Sequence, residues 1–226
     1  MRIGLTGGIA CGKSLVARFL NDFGVETIDA DDIVHELIPD PAERKRLAAE
    51  VFSDPAKRRA LEAKLHPVVK ERIEEFLEGS ESLGGLGGLE GLESLDRNCA
   101  GRGSGHTFFK SSHPLPPQKN LPNHPNLPNL PNVPNFRLAI IPLLFEAHWE
   151  KNFDIICCVV SERETQISRM MTTRGYTRAE AEARLAAQMP VAEKAAKSHY
   201  VIHNDGTPEE LKEEVKKFLT WLTRHS

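Results

Sequence analysis

Gly7-Gly8-Ile9-Ala10-Cys11-Gly12-Lys13-Ser14 reads G-x-x-x-x-G-K-S, and its flanks make that pattern a phosphate-binding loop, or P-loop. Before it stands a short apolar run, Ile3-Gly4-Leu5. After it, Leu15-Val16-Ala17-Arg18-Phe19-Leu20 has helical spacing. Gly7 and Gly12 let the backbone wrap a phosphate chain that a side chain would obstruct. The helix behind the loop points free N–H groups and the positive end of its dipole at the anion. Lys13 supplies a mobile point charge for the β- and γ-phosphates, and Ser14 an oxygen for Mg²⁺. The stretch is a nucleotide-phosphate site.

Bulk properties narrow the class. The 226 residues suit one domain, or a core with a small lobe. A formal charge of -3 leaves no general basic footprint for nucleic acid. No apolar run approaches the ~20 residues of a membrane span. The chain runs straight into the P-loop strand, so no cleavable signal peptide is expected. Cys11, Cys99, Cys157 and Cys158 show neither C-x-x-C nor metal spacing, and a reducing cytoplasm is expected. Cys157 and Cys158 read as buried thiols. Cys11 lies beside a helix start and Lys13, which predicts a depressed pKa and a reactive thiol that bound nucleotide would shield.

Val25 to Ile28 reads as a second strand, ending in Asp29-Ala30-Asp31-Asp32. Open α/β sheets place their ligands at that end of a strand. Asp31 is the candidate base, because a kinase needs a proton acceptor near the phosphates. Residues 42–52 and 55–77 read as helices, the second started by Pro55. Leu138 to Phe145 is a near-continuous apolar run, predicting a strand covered on both faces. Its interior carries no acid for a magnesium shell, so metal contact falls to Ser14, Asp31, phosphates and water, with Glu146 a further candidate. Phe153 to Val160 and Tyr200 to Ile202 predict two more strands. Between them Glu162 to Ala187 is charged and helical, broken at Gly175-Tyr176. Arg169 and Arg174 there suit phosphate, since guanidinium groups grip its oxygens bidentately. Pro208 to Arg224 reads as a closing amphipathic helix. Residues 79–136 instead carry period-three repeats, Leu-Gly-Gly at first and Asn-Leu-Pro at the end. Glycine and proline at that density build no core, and a disordered insert is expected.

Taken together these motifs resemble the dephospho-CoA kinase family. The resemblance runs through Gly-Gly-Ile-x-x-Gly-Lys-Ser, Ile28-Asp29-Ala30-Asp31, His35, Arg44-x-x-Leu47, Leu65-His66-Pro67 and Pro142-Leu143-Leu144-Phe145-Glu146. It continues through Gln166-x-x-Arg169, Arg174, Gln188-Met189-Pro190 and Asn204-Asp205-Gly206, covering residues 1–78 and 137–224. It implies an α/β fold: a three-layer P-loop kinase sandwich with a five-stranded parallel sheet, in a single domain over 1–226. Residues 33–78 would be a helical substrate lobe, 79–136 the insert and 162–190 the lid. It implies ATP-dependent phosphorylation of the ribose 3′-hydroxyl of dephospho-CoA, the last step of coenzyme A biosynthesis, with Mg²⁺ as cofactor. Lys13, Asp31 and Arg169 would be catalytic. Gly8, Ile9, Ala10, Cys11, Gly12, Lys13, Ser14, Leu15, Arg174 and Asn204 would bind ATP. Asp31, Arg44, His66 and Glu146 would bind the acceptor, and Ser14 the metal. Nucleic acid and membrane are not expected partners, and a monomer is.

The chain departs from the family pattern twice, at the insert and between His35 and Arg44, where Pro39-Asp40-Pro41 makes a shorter bridge. The second departure leaves two rivals open. One is a nucleotide or nucleoside kinase with another acceptor, the other an ATP-binding relative that has lost catalysis.

Overall fold

The computed structural model describes residues 1–79 and 136–226. The expected insert at 79–136 therefore lies, except for Gly79 and Phe136, outside the described residues.

The hydrophobic run before the P-loop forms β1 (Ile3–Gly7), every residue of it buried. Strands β2 (Glu26–Asp29), β3 (Arg137–Ile140), β4 (Ile155–Val160) and β5 (Tyr200–His203) complete the sheet. Its order is β2-β3-β1-β4-β5, and every pairing is parallel, with Ile3 opposite both Leu138 and Ile155. Parallel sheets need cover on both faces. On one face Val16 and Leu20 of α1 (Lys13–Asp22) meet Ile3 and Leu5, joined by Leu211, Val215, Phe218 and Leu222 of α8 (Pro208–His225). On the other, Ile33 of α2 (Ala30–Leu37) and Val69 and Ile73 of α4 (Pro55–Glu78) cover Ala139 and Ile156. The three layers are those expected.

Local chemistry sets the helix ends. Thr207 and Glu210 form a capping box that, with Pro208 in the first turn, starts α8. Asp40 and Asp54 cap α3 (Pro41–Ser53) and α4, each ahead of a proline. The lobe these helices form is held by Leu47, Leu61 and Leu65 against Ile38. The predicted break at Gly175 is real, since it ends α5 (Arg163–Arg174) in a left-handed conformation with φ 68°. Beyond it lie α6 (Arg178–Ala186) and the unanticipated short helix α7 (Val191–Ala196).

One strand is shorter than its sequence predicts. The strand ends at Ile140, Ile141 N makes the last bond to β1 at Leu5 O (2.8 Å), and residues 142–148 coil into turns closed by Ala147 N to Leu143 O (2.9 Å) and Trp149 N to Leu144 O (3.0 Å). Pro142 has no N–H to continue a ladder. The apolarity of Leu144 and Phe145 serves packing instead, since both are buried.

Candidate active site

The P-loop is held from behind, carbonyl by carbonyl. Lys13 Nζ donates to Gly7 O (2.9 Å) and Gly8 O (3.0 Å). Gln166 Nε2 donates to Ile9 O (2.7 Å), Arg169 Nη1 to Ala10 O (3.3 Å), and Asn204 Nδ2 to Cys11 O (2.8 Å). Engaging these oxygens on the protein side leaves the Lys13 and Ser14 amides for an anion, whereas Leu15 N already donates to Gly12 O (3.0 Å). The turn needs left-handed backbone at Gly12 (φ 87°) and even at Ala10 (φ 59°). A Cβ on Gly12 would run into Asn204 Nδ2, and one on Gly8 would lie 2.5 Å from Gln166 Nε2. The loop glycines are thus required by the braces as well as by the ligand.

Two of those braces are also expected at the ATP site. Asn204, the residue after β5 and an expected ATP-binding residue, is 4 % exposed, and its side chain holds the loop. Arg169 is committed to protein acceptors: Ala10 O, Ser161 Oγ (3.0 Å) and Asn204 O (2.9 Å). Gln166 had entered only as part of a motif. The signal that finds it is its place one helical turn before Arg169, on the same face of α5. Arg174 is exposed at the end of that helix, with no hydrogen bond or ion pair among the described residues.

The carboxylates stand beside the loop. Asp29 caps α2, its Oδ1 accepting from Asp31 N (2.9 Å). Burial pushes its pKa up to about 6, while the bond from Asp31 N draws it down. Asp31 keeps solvent access, although neighbouring protein displaces part of the water around its carboxyl. Burial accordingly raises its pKa, opposed by the positive charges of Lys13, His35 and Arg174. Burial likewise lowers that of Lys13, opposed among other groups by Asp31 and Asp29. Lys13 and Arg174 thus both act on the carboxylate of Asp31.

Asp29 offers a test of this desolvation. Its native carboxyl holds a proton better than the unfolded chain does, so it weakens the fold as pH rises from about 4 through about 6. Asparagine caps a helix as well as aspartate. Asp29→Asn should therefore stabilise the protein by about 1–2 kcal/mol at pH 8, with no gain at pH 4. Melting curves of both proteins at the two pH values check it.

Cys11 corrects an expectation. It is fully buried, its Sγ accepts from Gln166 Nε2 (3.1 Å), and burial raises its pKa despite Lys13 nearby. Desolvation outweighs the cation and the helix dipole. Brief iodoacetamide treatment should leave Cys11 unlabelled in the native protein and label it once denatured, by mass spectrometry.

The acceptor-side candidates are more scattered. Arg44 Nη1 donates to Ile38 O (2.6 Å) and Pro39 O (3.0 Å), fastening the shortened bridge between α2 and α3. No bond of Arg44 reaches Asp31, Glu146 or the P-loop. His66 meets the Trp149 ring edge-on at 5.5 Å between centroids. Glu146 Oε1 accepts from Lys194 Nζ (2.7 Å) and Met189 N (3.1 Å). No cluster of three or more His, Cys, Asp or Glu fit to hold a metal occurs among the described residues. The donors that remain are the Ser14 hydroxyl, with no protein partner among the described residues, and the Asp31 carboxylate. Such a set suits Mg²⁺, which keeps waters and takes substrate phosphates as ligands.

A parallel sheet in this order, with its phosphate loop on the central strand, is the arrangement of a P-loop kinase. TT1252 from Thermus thermophilus shares it with a TM-score of 0.64 at 27% identity, over 98% of this chain and 97% of that one. A shikimate kinase from Bacteroides thetaiotaomicron shares the fold alone, with a TM-score of 0.52 at 12% identity, over 99% of this chain and 98% of its own. The sequence profile of dephospho-CoA kinase matches residues 1–43 and 127–210. The dephospho-CoA kinase of Synechococcus strain JA-3-3Ab is 35% identical over 96% of this chain and 90% of its own. That of Geobacter sulfurreducens is 33% identical over 98% of both. The chain belongs to the dephospho-CoA kinase family. No described helix is long and apolar enough to cross a membrane.

Proposed function

We propose that this kinase transfers the γ-phosphoryl of ATP to the ribose 3′-hydroxyl of dephospho-CoA. The observation that carries the mechanism is that Lys13 and Arg174 both act on the carboxylate of Asp31 beside the P-loop. Lys13 exchanges Gly7 O and Gly8 O for the β- and γ-phosphates, while the amides at the start of α1 take the remaining oxygens. Asp31 orients the acceptor hydroxyl and receives its proton. Arg174 swings onto the moving phosphoryl. Arg169 holds Ala10 and Asn204 in place and adds positive charge behind the loop. Ser14, with Asp31 beside it, would hold Mg²⁺, which supplies charge neutralisation on the donor oxygens.

On this reading residues 33–78 are the acceptor lobe, where Arg44 sets the bridge and His66 and Glu146 line the substrate. Residues 162–190 are the lid. The protein acts as a cytoplasmic monomer. Coupled ADP release with dephospho-CoA, and separately with adenosine and AMP, tests the reading. Turnover should require Mg²⁺ and be specific to dephospho-CoA. A preference for another acceptor would install the first rival, and Mg-ATP binding with no turnover of any acceptor the second.

A further inference from the structure

Lys194, on α7, is the largest fully buried side chain among the described residues, and its charge has no place in that mechanism. Its ammonium donates to Pro142 O (2.8 Å) and to Glu146 Oε1 (2.7 Å). Pro142 O also accepts from Thr6 Oγ1 (3.3 Å), on the strand that leads into the P-loop. Glu146 Oε1 also accepts from Met189 N, whereas Glu146 Oε2 is buried and has no hydrogen-bond partner among the described residues. A buried carboxylate oxygen left open is costly unless some donor fills it. Topology says where that donor comes from. β3 runs between β2 and β1, so the turn that follows it, carrying Pro142 and Glu146, emerges between Asp31 and the P-loop. That is where an acceptor must sit.

We propose that Lys194 is a positioning residue for the acceptor: it clamps the Pro142–Glu146 turn so that Glu146 Oε2 accepts a hydrogen bond from a hydroxyl or amine of the substrate. This rests on the reading of dephospho-CoA as acceptor. The Lys194 ammonium bonds Pro142 O and Glu146 Oε1 rather than any atom of the P-loop, so its removal should leave donor binding intact. Three variants separate positioning from mere stability: Lys194→Met, Glu146→Gln and the double variant. Removing one member of a buried ion pair leaves the other uncompensated, whereas removing both is often neutral.

The experiment titrates dephospho-CoA and Mg-ATP calorimetrically into each protein, alongside its melting temperature. Both single variants should melt lower and the double variant should recover. The dissociation constant for dephospho-CoA should rise about tenfold or more in all three, the double included, with that for Mg-ATP changing less than about threefold. Recovery of dephospho-CoA affinity together with melting temperature in the double variant would reduce the pair to a structural role and overturn the proposal. Wild-type protein that binds Mg-ATP but not dephospho-CoA would instead overturn the acceptor assignment, and this inference with it.

Discussion

Lys13→Ala should lower turnover by about 10²–10³-fold, the scale for removing a preorganised charge from a transferring group. Nucleotide affinity should fall with it, because Lys13 is the one side chain of the loop that brings a full charge to the phosphates. The fold should survive, since the substitution removes bonds to Gly7 O and Gly8 O in a half-buried place and leaves the braces from Gln166, Arg169 and Asn204 intact. Titration with a fluorescent ATP analogue and a melting curve separate these effects. An unchanged melting temperature with wild-type turnover would remove Lys13 from the chemistry.

The second large effect belongs to Asp31→Asn, for which turnover should fall by about 10²-fold or more while Mg-ATP affinity stays within a few-fold. Asparagine matches aspartate in shape, and α2 keeps its cap because Asp29 provides it. Wild-type rate should fall on the acid side as Asp31 takes up a proton. Its midpoint should lie above the ordinary carboxylate value, because burial raises the pKa. The variant should lose that acid limb. Rate–pH profiles of the two proteins decide it, and an unaltered limb in Asp31→Asn would place the titrating base elsewhere.

The parts of this site that were legible in the sequence are those where one residue type can do the job. Glycines with Lys-Ser between a strand and a helix admit few other readings, and the strand through Cys157 and Cys158 is declared by its unbroken apolarity. Apolarity failed at Pro142 to Phe145, because a buried turn and a buried strand ask for the same side chains and only the missing N–H of Pro142 separates them. Cys11 was misjudged because proximity to Lys13 can be read along the chain, whereas burial under Gln166, 155 residues away, cannot. Lys194 was passed over for a related reason. A lone lysine in a charged stretch reads as solvated, and only the fold brings Glu146 to it.

Ile9 and Ala10 pack into the same small core as Ile167, Met170 and Ala181, and this has a consequence for how the molecule loosens. Two residues of the phosphate loop draw their burial from α5 and α6, so the loop and these helices should form one cooperative unit of local unfolding. Amide exchange in the two segments should rise together on warming, and bound nucleotide should slow both. A cavity cut at Met170, whose side chain touches no phosphate, would then be felt as weaker nucleotide binding, because the open form of that unit competes with every ligand the loop can hold.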